Sequence, residues 1–471
     1  MLNLGIAILL LIAGILLTVL LKGFQFRRMG MMFRHAFSLL KKENRKCDGD
    51  GLSPFKALTT ALAGSVGTGN IAGVAGAIMI GGRGAVFWMW VSALFGMATK
   101  YAEIVLALHF RGNGKYSGST MDVILNGMGR KGISHILAYA FALLGIAASF
   151  ASGNLVQINA LTAAASSLFP TVSPLTIGII FALITAAVLF GGTQSIGKAT
   201  SFLVPFMSIL YVAASLLVII PNISEIPNVL SLIVSEAFTL PSAIGGAAGF
   251  TIVRSFRVGI MRGIFSNEAG IGSAPMAHAC VPKTTDPVEQ GMVGIFEVFI
   301  DTIVICSLTA FAILLSGVII PYGNSENMSV AVTIDAFSTV LGHKNATIFI
   351  GVCTMLFAFS SILGWSLYGM KCCAFIFSER SLFVYKIIFP LFTTAGAVLD
   401  ASLVWQVGEA ANGIMALPNL TALIMLAPVV KKLTVCYTLS YDKQSKRKHN
   451  RNKKHGASVA FGALRCKADR R

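Results

Sequence analysis

Apolar runs recur near residues 3–22, 55–80, 86–108, 134–166, 174–190, 200–220, 244–279, 290–319, 346–370, 382–399 and 405–430, with short polar stretches between them. A helix needs about 20 such residues to cross a hydrocarbon core of roughly 30 Å. The pattern therefore predicts an all-α integral membrane protein with eleven transmembrane helices. Two of the runs carry a fault within them. "LAGSVGTGNIAG", residues 62–73, sets Gly64, Gly67 and Gly69 beside Thr68 and Asn70, although each glycine costs a helix about 1 kcal/mol relative to alanine. "IFSNEAGIGSAPMAHA", residues 264–279, repeats the arrangement with Ser266, Asn267, Glu268, Gly270, Gly272 and Pro275.

Position gives these faults meaning. Counted from residue 55, each lies in the first span of a group of five, about 55–220 and about 240–430. An odd number of crossings reverses the second group, which makes an inverted repeat with one extra helix ahead of it. Interrupted spans at corresponding places in two halves point to a transporter's central site. Lipid cannot satisfy the N–H and C=O groups that a broken helix releases, so a break has to face a ligand or a water-filled cavity. Freed N–H groups suit a carboxylate, and freed carbonyls suit a hard cation. The competing explanation is close helix packing through small residues, which accounts for one glycine cluster more readily than for two.

Of the 471 residues, 55% are hydrophobic and 12% charged, and the mean hydropathy is +0.78. Soluble domains carry about 25% charged residues, so soluble folds are excluded. A net charge of +18 would suit nucleic acid, but its distribution suits a membrane. Seven Lys/Arg fall in 23–54 and thirteen from Lys431 to Arg471, while 221–250 has none. Basic loops mark the cytoplasmic side. That rule puts the N-terminus outside, the 23–54 loop inside and, after eleven crossings, the tail inside a bacterial plasma membrane. The loops 111–131 (Arg111, Lys115, Arg130, Lys131) and 371–386 share that side.

The chain thus divides into a helix with a basic loop (1–54), a core (55–430) and a basic tail (431–471). The tail run "KQSKRKHNRNKKHG" reads as disordered, with anionic lipid and not nucleic acid as its partner. No basic residue precedes the apolar run in 1–22 and no small-residue cleavage site stands out, so it reads as a retained span. None of the eight cysteines has metal-site spacing. Cys306, Cys353, Cys372 and Cys373 lie in or at spans, Cys47, Cys436 and Cys466 inside, and vicinal Cys372–Cys373 is poorly placed for a disulfide. Without H-E-x-x-H, G-x-S-x-G or a P-loop, a membrane enzyme and an ATP-driven pump are disfavoured. A channel is disfavoured by the lack of a fourfold pore loop. Charges inside spans are costly. Lys100 and Glu103, three apart on one helix, are expected to pair. Glu268 and Asp301 are expected to be protonated, to pair with Arg257 or Arg262, or to sense a cation.

The stretches "GSVGTGNIAGVAGAI", "GAVFWMWVSALFGMATKYAE", "GNLVQINA", "GIFSNEAGIGSAPMAHA" and "FSSILGWSLYG" resemble the alanine or glycine:cation symporter family, over about residues 50–430. The resemblance implies sodium-coupled uptake of alanine or glycine on a LeuT-like fold, five-plus-five, with broken first and sixth core helices. It places the substrate's head group at Thr68, Gly69 and Asn70, with backbone N–H groups on the carboxylate and the Asn70 amide oxygen accepting from the ammonium. Gln157 and Asn154, polar and deep in a span, face the site or bond between helices. Gly270, Ile271 and Gly272 form the opposite wall, and Trp365 closes the side-chain pocket or packs. Na⁺ falls on the carbonyls of Ala63 and Val66 and the hydroxyls of Ser360 and Ser361, a set of neutral oxygens that suits it better than Ca²⁺ or Mg²⁺. "GGRG" departs from the family by putting Arg83 where proline is expected. No cofactor is implied beyond Na⁺ as the co-transported ion, and a monomer is expected. Alanine, glycine, serine and D-alanine are not separable here, one methyl being worth about 1–3 kcal/mol in an apolar pocket. H⁺ stands as the alternative coupling ion.

Overall fold

The computed structural model describes residues 2–41, 51–112, 118–129, 132–238, 252–323 and 329–468, with side chains for all of these except 2, 3, 40, 41 and 444–468. Cys47, Lys115, Arg130, Lys131, the stretch 244–251 and the side chains of most of the basic tail, Cys466 included, lie outside the described residues.

Regular structure among the described residues is entirely helical. α1 is Leu2–Leu20 and α2 is Met29–Lys41. The first faulted run forms α3 (Pro54–Ser65) and α4 (Ala72–Gly81). There follow α5 (Gly84–His109), α6 (Ile133–Leu168), α7 (Pro174–Phe190), α8 (Gly192–Ile219) and α9 (Ile226–Ala237). The second faulted run forms α10 (Ile252–Asn267) and α11 (Ala274–His278). α12 (Pro287–Leu315), α13 (Ser329–Leu341), α14 (His343–Phe377), α15 (Leu382–Gly396) and α16 (Ala401–Ala468) complete the chain. Among the described residues, six stretches are helical, long and apolar enough to cross a membrane: α5, α6, Gly192–Ala237, α12, α14 and Ala401–Lys443.

Local chemistry sets several boundaries. Ser53, Ser173 and Asp286 cap α3, α7 and α12 through their side chains, and each is followed by a proline in the first turn. Proline there lacks only an N–H that would be unpaired anyway. The sequence pattern passed over α2, α9 and α13 because they are amphipathic and not continuously apolar. In α9, Val229, Ile233 and Ala237 are buried at four-residue spacing, the stripe of a helix lying on a core. The tail, expected to be disordered, instead continues α16 to Ala468. Lys, Arg, Gln and Ala are good helix formers, and extending an existing helix avoids the cost of nucleation.

α5 stands at the centre, packed against both α10 and α12. α14 lies along α3 and α6, and α1 sits outside against α5 and α16. The outer surface is strongly apolar: Ile12 and Val19 of α1, Leu183 of α7, Phe202 and Ile209 of α8 and Leu391 of α15 are all exposed. Apolar surface of this extent suits lipid and not water.

Candidate functional site

The chain leaves α3 at Val66, whose ψ of 91° is extended. In an unbroken helix the Gly67 N–H would close on the Ala63 carbonyl. Here it donates to Asn70 Oδ1 at 2.9 Å. The Thr68 N–H and hydroxyl likewise turn away, both donating to Gln157 Oε1 at 3.3 and 3.0 Å. Two side chains therefore hold the break open, and the Ala63 and Gly64 carbonyls lose their helical donors. Thr68 and Gln157 thus meet at the break. The Asn70 amide oxygen, expected to receive a substrate ammonium, is taken by the Gly67 N–H. Its amide nitrogen donates to Asp301 Oδ1 at 2.8 Å.

α14 runs past this break. A Cβ on Gly364 would lie 2.6 Å from the Gly64 nitrogen, so the backbones touch. A Cβ on Gly67 would collide with Ser361 Oγ and stand 3.2 Å from Gln157 Oε1. The Ser361 hydroxyl is buried and has no hydrogen-bond partner among the described residues. Ser360 is placed differently: its hydroxyl donates to Phe357 O at 2.9 Å and abuts Met207. Of the expected cation set, Ser361 is thus joined to the Ala63–Gly67 segment and Ser360 is not. Trp365 is buried, packed on Gly153 and edge-on to Tyr368 with centroids 5.3 Å apart. Asn154 donates to Phe389 O at 2.7 Å, an interhelical bond.

The second break is reached through left-handed backbone at Glu268 (φ 56°), Gly270 (φ 94°) and Gly272 (φ 83°), a conformation that glycine adopts without penalty. The Gly272 N–H donates to Glu103 Oε1 at 3.0 Å, and Asn419 Nδ2 donates to the Gly270 carbonyl at 2.9 Å. Gly270 and Gly272 thus look toward Leu10, Phe141 and Asn419, and Ile271 between them is fully buried. Phe265 and Ser266, at the end of α10, are the residues that face Gly69 instead.

Two acidic groups tie these parts together. Residues 299–306 of α12 form a π-helix, whose wider turn places Asp301 against both breaks. Asp301 accepts from Asn70, from Ser266 at 2.8 Å and from Thr302 at 2.7 Å, and has no ion-pair partner among the described residues. Among the described residues neither it nor Glu268 forms an ion pair with Arg257 or Arg262, one of the three alternatives the sequence left open. Glu268 accepts from Ser273 at 2.6 Å, and Arg262 goes to Glu409 at 3.3 Å and over the Trp405 ring. Glu297, which the sequence reading did not weigh, is a hub. It meets Lys100 Nζ at 2.6 Å, His278 Nε2 at 2.9 Å and the Ser65 hydroxyl at 3.4 Å. Lys100 also donates to the Asn267 carbonyl at 2.7 Å. The expected Lys100–Glu103 pair is therefore not formed. Both side chains are fully buried, and each satisfies a backbone group orphaned by the second break: Lys100 a carbonyl, Glu103 an N–H. An acidic residue inside an apolar run was the signal that could have found Glu297.

A bundle with two interrupted helices meeting at a polar centre is the architecture of a LeuT-like transporter. Solved structures agree on the fold. The chain is similar to MhsT in complex with L-phenylalanine (TM-score 0.57, 12% identity, covering 81% of this chain and 97% of that one). It is also similar to a Na⁺-coupled sialic acid symporter in a substrate-bound outward-open state (TM-score 0.54, 12% identity, 85% and 86% covered). The chain belongs to the sodium:alanine symporter family, which it matches over residues 1–455. Among its relatives are the sodium/alanine symporter AgcS of Methanococcus maripaludis (41% identical over 91% of this chain and 93% of the relative) and the probable sodium/glutamine symporter GlnT of Bacillus subtilis (35%, 92% and 87%). It is accordingly an amino-acid transporter and not an enzyme.

Proposed function

We propose that the protein couples inward Na⁺ flow to uptake of a small neutral amino acid, alanine or glycine, by alternating access. In this reading eleven spans cross the plasma membrane as a monomer: α1, then two inverted groups of five opened by the broken pairs α3/α4 and α10/α11. The observation that carries it is the buried Ser361 hydroxyl, without a hydrogen-bond partner among the described residues, set against Gly67 at the break that frees the Ala63 and Gly64 carbonyls. Neutral oxygens gathered without a donor favour a monovalent cation. Val66 completes the set from the same segment, and Ser360 stands outside it. Thr68, Gly69 and Asn70 offer the head-group site, with Gln157 at its side and Trp365 toward the side-chain end. Each Na⁺ crossing 100 mV supplies about 2.3 kcal/mol for accumulation.

One observation favours a second coupling ion. Asp301 is a buried carboxylate with hydrogen-bond donors but no counter-charge among the described residues, which suits either a proton or a cation. Uptake of labelled alanine and glycine into proteoliposomes separates these cases. An inward Na⁺ gradient should drive accumulation, and choline with an inward proton gradient should not. Accumulation with protons alone moves the coupling to Asp301. No accumulation of either amino acid under any gradient would sink the substrate assignment.

A further inference from the structure

We propose that a groove between the foot of α1 and α16 binds an anionic phospholipid, with the phosphate held by Lys22, Arg27 and Lys431. The groove has a volume of about 200 Å³, and Leu20, Phe24 and Val435 share its wall with these cations. Exposed apolar side chains flank the cations on both segments: Val19, 71% exposed, lies before Lys22 and Phe26, 43% exposed, after it, while Met425, 59% exposed, precedes Lys431 and Val435 and Leu439, 47% and 59% exposed, follow it. The cations therefore sit among exposed apolar side chains, where one ligand can offer a phosphate to the former and acyl chains to the latter.

The groove is also fixed in shape. The corner after α1 is closed by Gly23 N–H donating to Thr18 O at 2.8 Å. Arg28 grips Asp442 with two hydrogen bonds, 3.1 and 2.8 Å, which ties that corner to α16. Asp442 is thereby spent on Arg28, and Lys22, Arg27 and Lys431 have no carboxylate partner among the described residues. Three uncompensated cations at an interface attract an anionic head group. The apolar wall beside them offers acyl chains a surface that free phosphate cannot use.

The test uses the full-length protein in non-ionic detergent, read by thermal unfolding. Phosphatidylglycerol should raise the melting temperature saturably, and phosphatidylcholine or sodium phosphate should not. Lys22→Gln/Arg27→Gln/Lys431→Gln should raise the half-saturating phosphatidylglycerol concentration by about tenfold or more. Lys446→Gln/Arg447→Gln/Lys448→Gln in the tail should leave it nearly unchanged. The charge-keeping Lys22→Arg/Arg27→Lys/Lys431→Arg should retain binding and thereby distinguish lost charge from lost fold. Unaltered saturation in the first variant, loss in the tail or charge-keeping variant, or an equal response to sodium phosphate would each overturn the proposal.

Discussion

Ser360 and Ser361 are adjacent in sequence but about 100° apart around a helix, and the structure uses only one of them at the break. Ser360 spends its hydroxyl on its own helix, whereas Ser361 is left partnerless against Gly67. Ser361→Ala should raise the Na⁺ concentration for half-maximal uptake about tenfold, a loss near 1.4 kcal/mol. Ser360→Ala should barely move it. An equal effect of both, measured as Na⁺ dependence of uptake, would place the cation elsewhere. Gly67→Ala should abolish Na⁺-dependent alanine binding by calorimetry while the protein stays monodisperse, because its Cβ would occupy the space of the Ser361 hydroxyl. Sequence made these positions visible as glycine and hydroxyl motifs. It could not choose between neighbouring serines, since that choice is made by the rotation of α14 against α3.

At the scale of helices, what was legible followed from how each element satisfies itself. A continuous apolar run announces a helix in lipid, and a glycine–polar fault announces its interruption. The partners of the interruption lie on other helices, far away in sequence, and these were the readings that changed. Lys100 and Glu103 invite pairing by spacing alone, yet full burial obliges each to serve a different orphaned backbone group. Glu297 then becomes the counter-ion of Lys100 and the bond between Ser65 of α3 and His278 of α11. Lys100→Met should destabilise the protein by about 3–5 kcal/mol, because it leaves a buried carboxylate without its cation. Adding Glu297→Gln should recover much of that loss, and adding Glu103→Gln should not. A double-mutant cycle of unfolding in detergent measures the coupling directly. Rescue by Glu103→Gln and not by Glu297→Gln would restore the pairing that spacing suggested.

Across the whole molecule, orientation rests on where the basic segments end up, and the fold gathers them at one end. Arg28 binds Asp442, which joins the 23–54 loop to the tail. Leu52 N–H donates to Cys280 O at 2.8 Å, and Arg111 donates to Ala279 O at 2.9 Å, which brings the segment after α11 to the same end. At the junction of α4 and α5, Arg83 meets Glu236 at 3.6 Å and Tyr322 at 3.3 Å. Arg83, flagged in sequence as a departure, thus fastens the end of α4 to α9. If positive loops stay inside, Cys436 is cytoplasmic and α9 is external. Cys436 is exposed and Cys280 partly so, whereas Cys306, Cys353, Cys372 and Cys373 are buried. In intact cells a membrane-impermeant maleimide should therefore leave the native protein unlabelled, and should label it once the cells are lysed. Glu225→Cys, at an exposed position just before α9, should react in intact cells. A reporter fused after Arg471 should agree by reading cytoplasmic. Labelling of Cys436 from outside, with Glu225→Cys protected, would reverse the orientation and with it the direction in which Na⁺ drives transport.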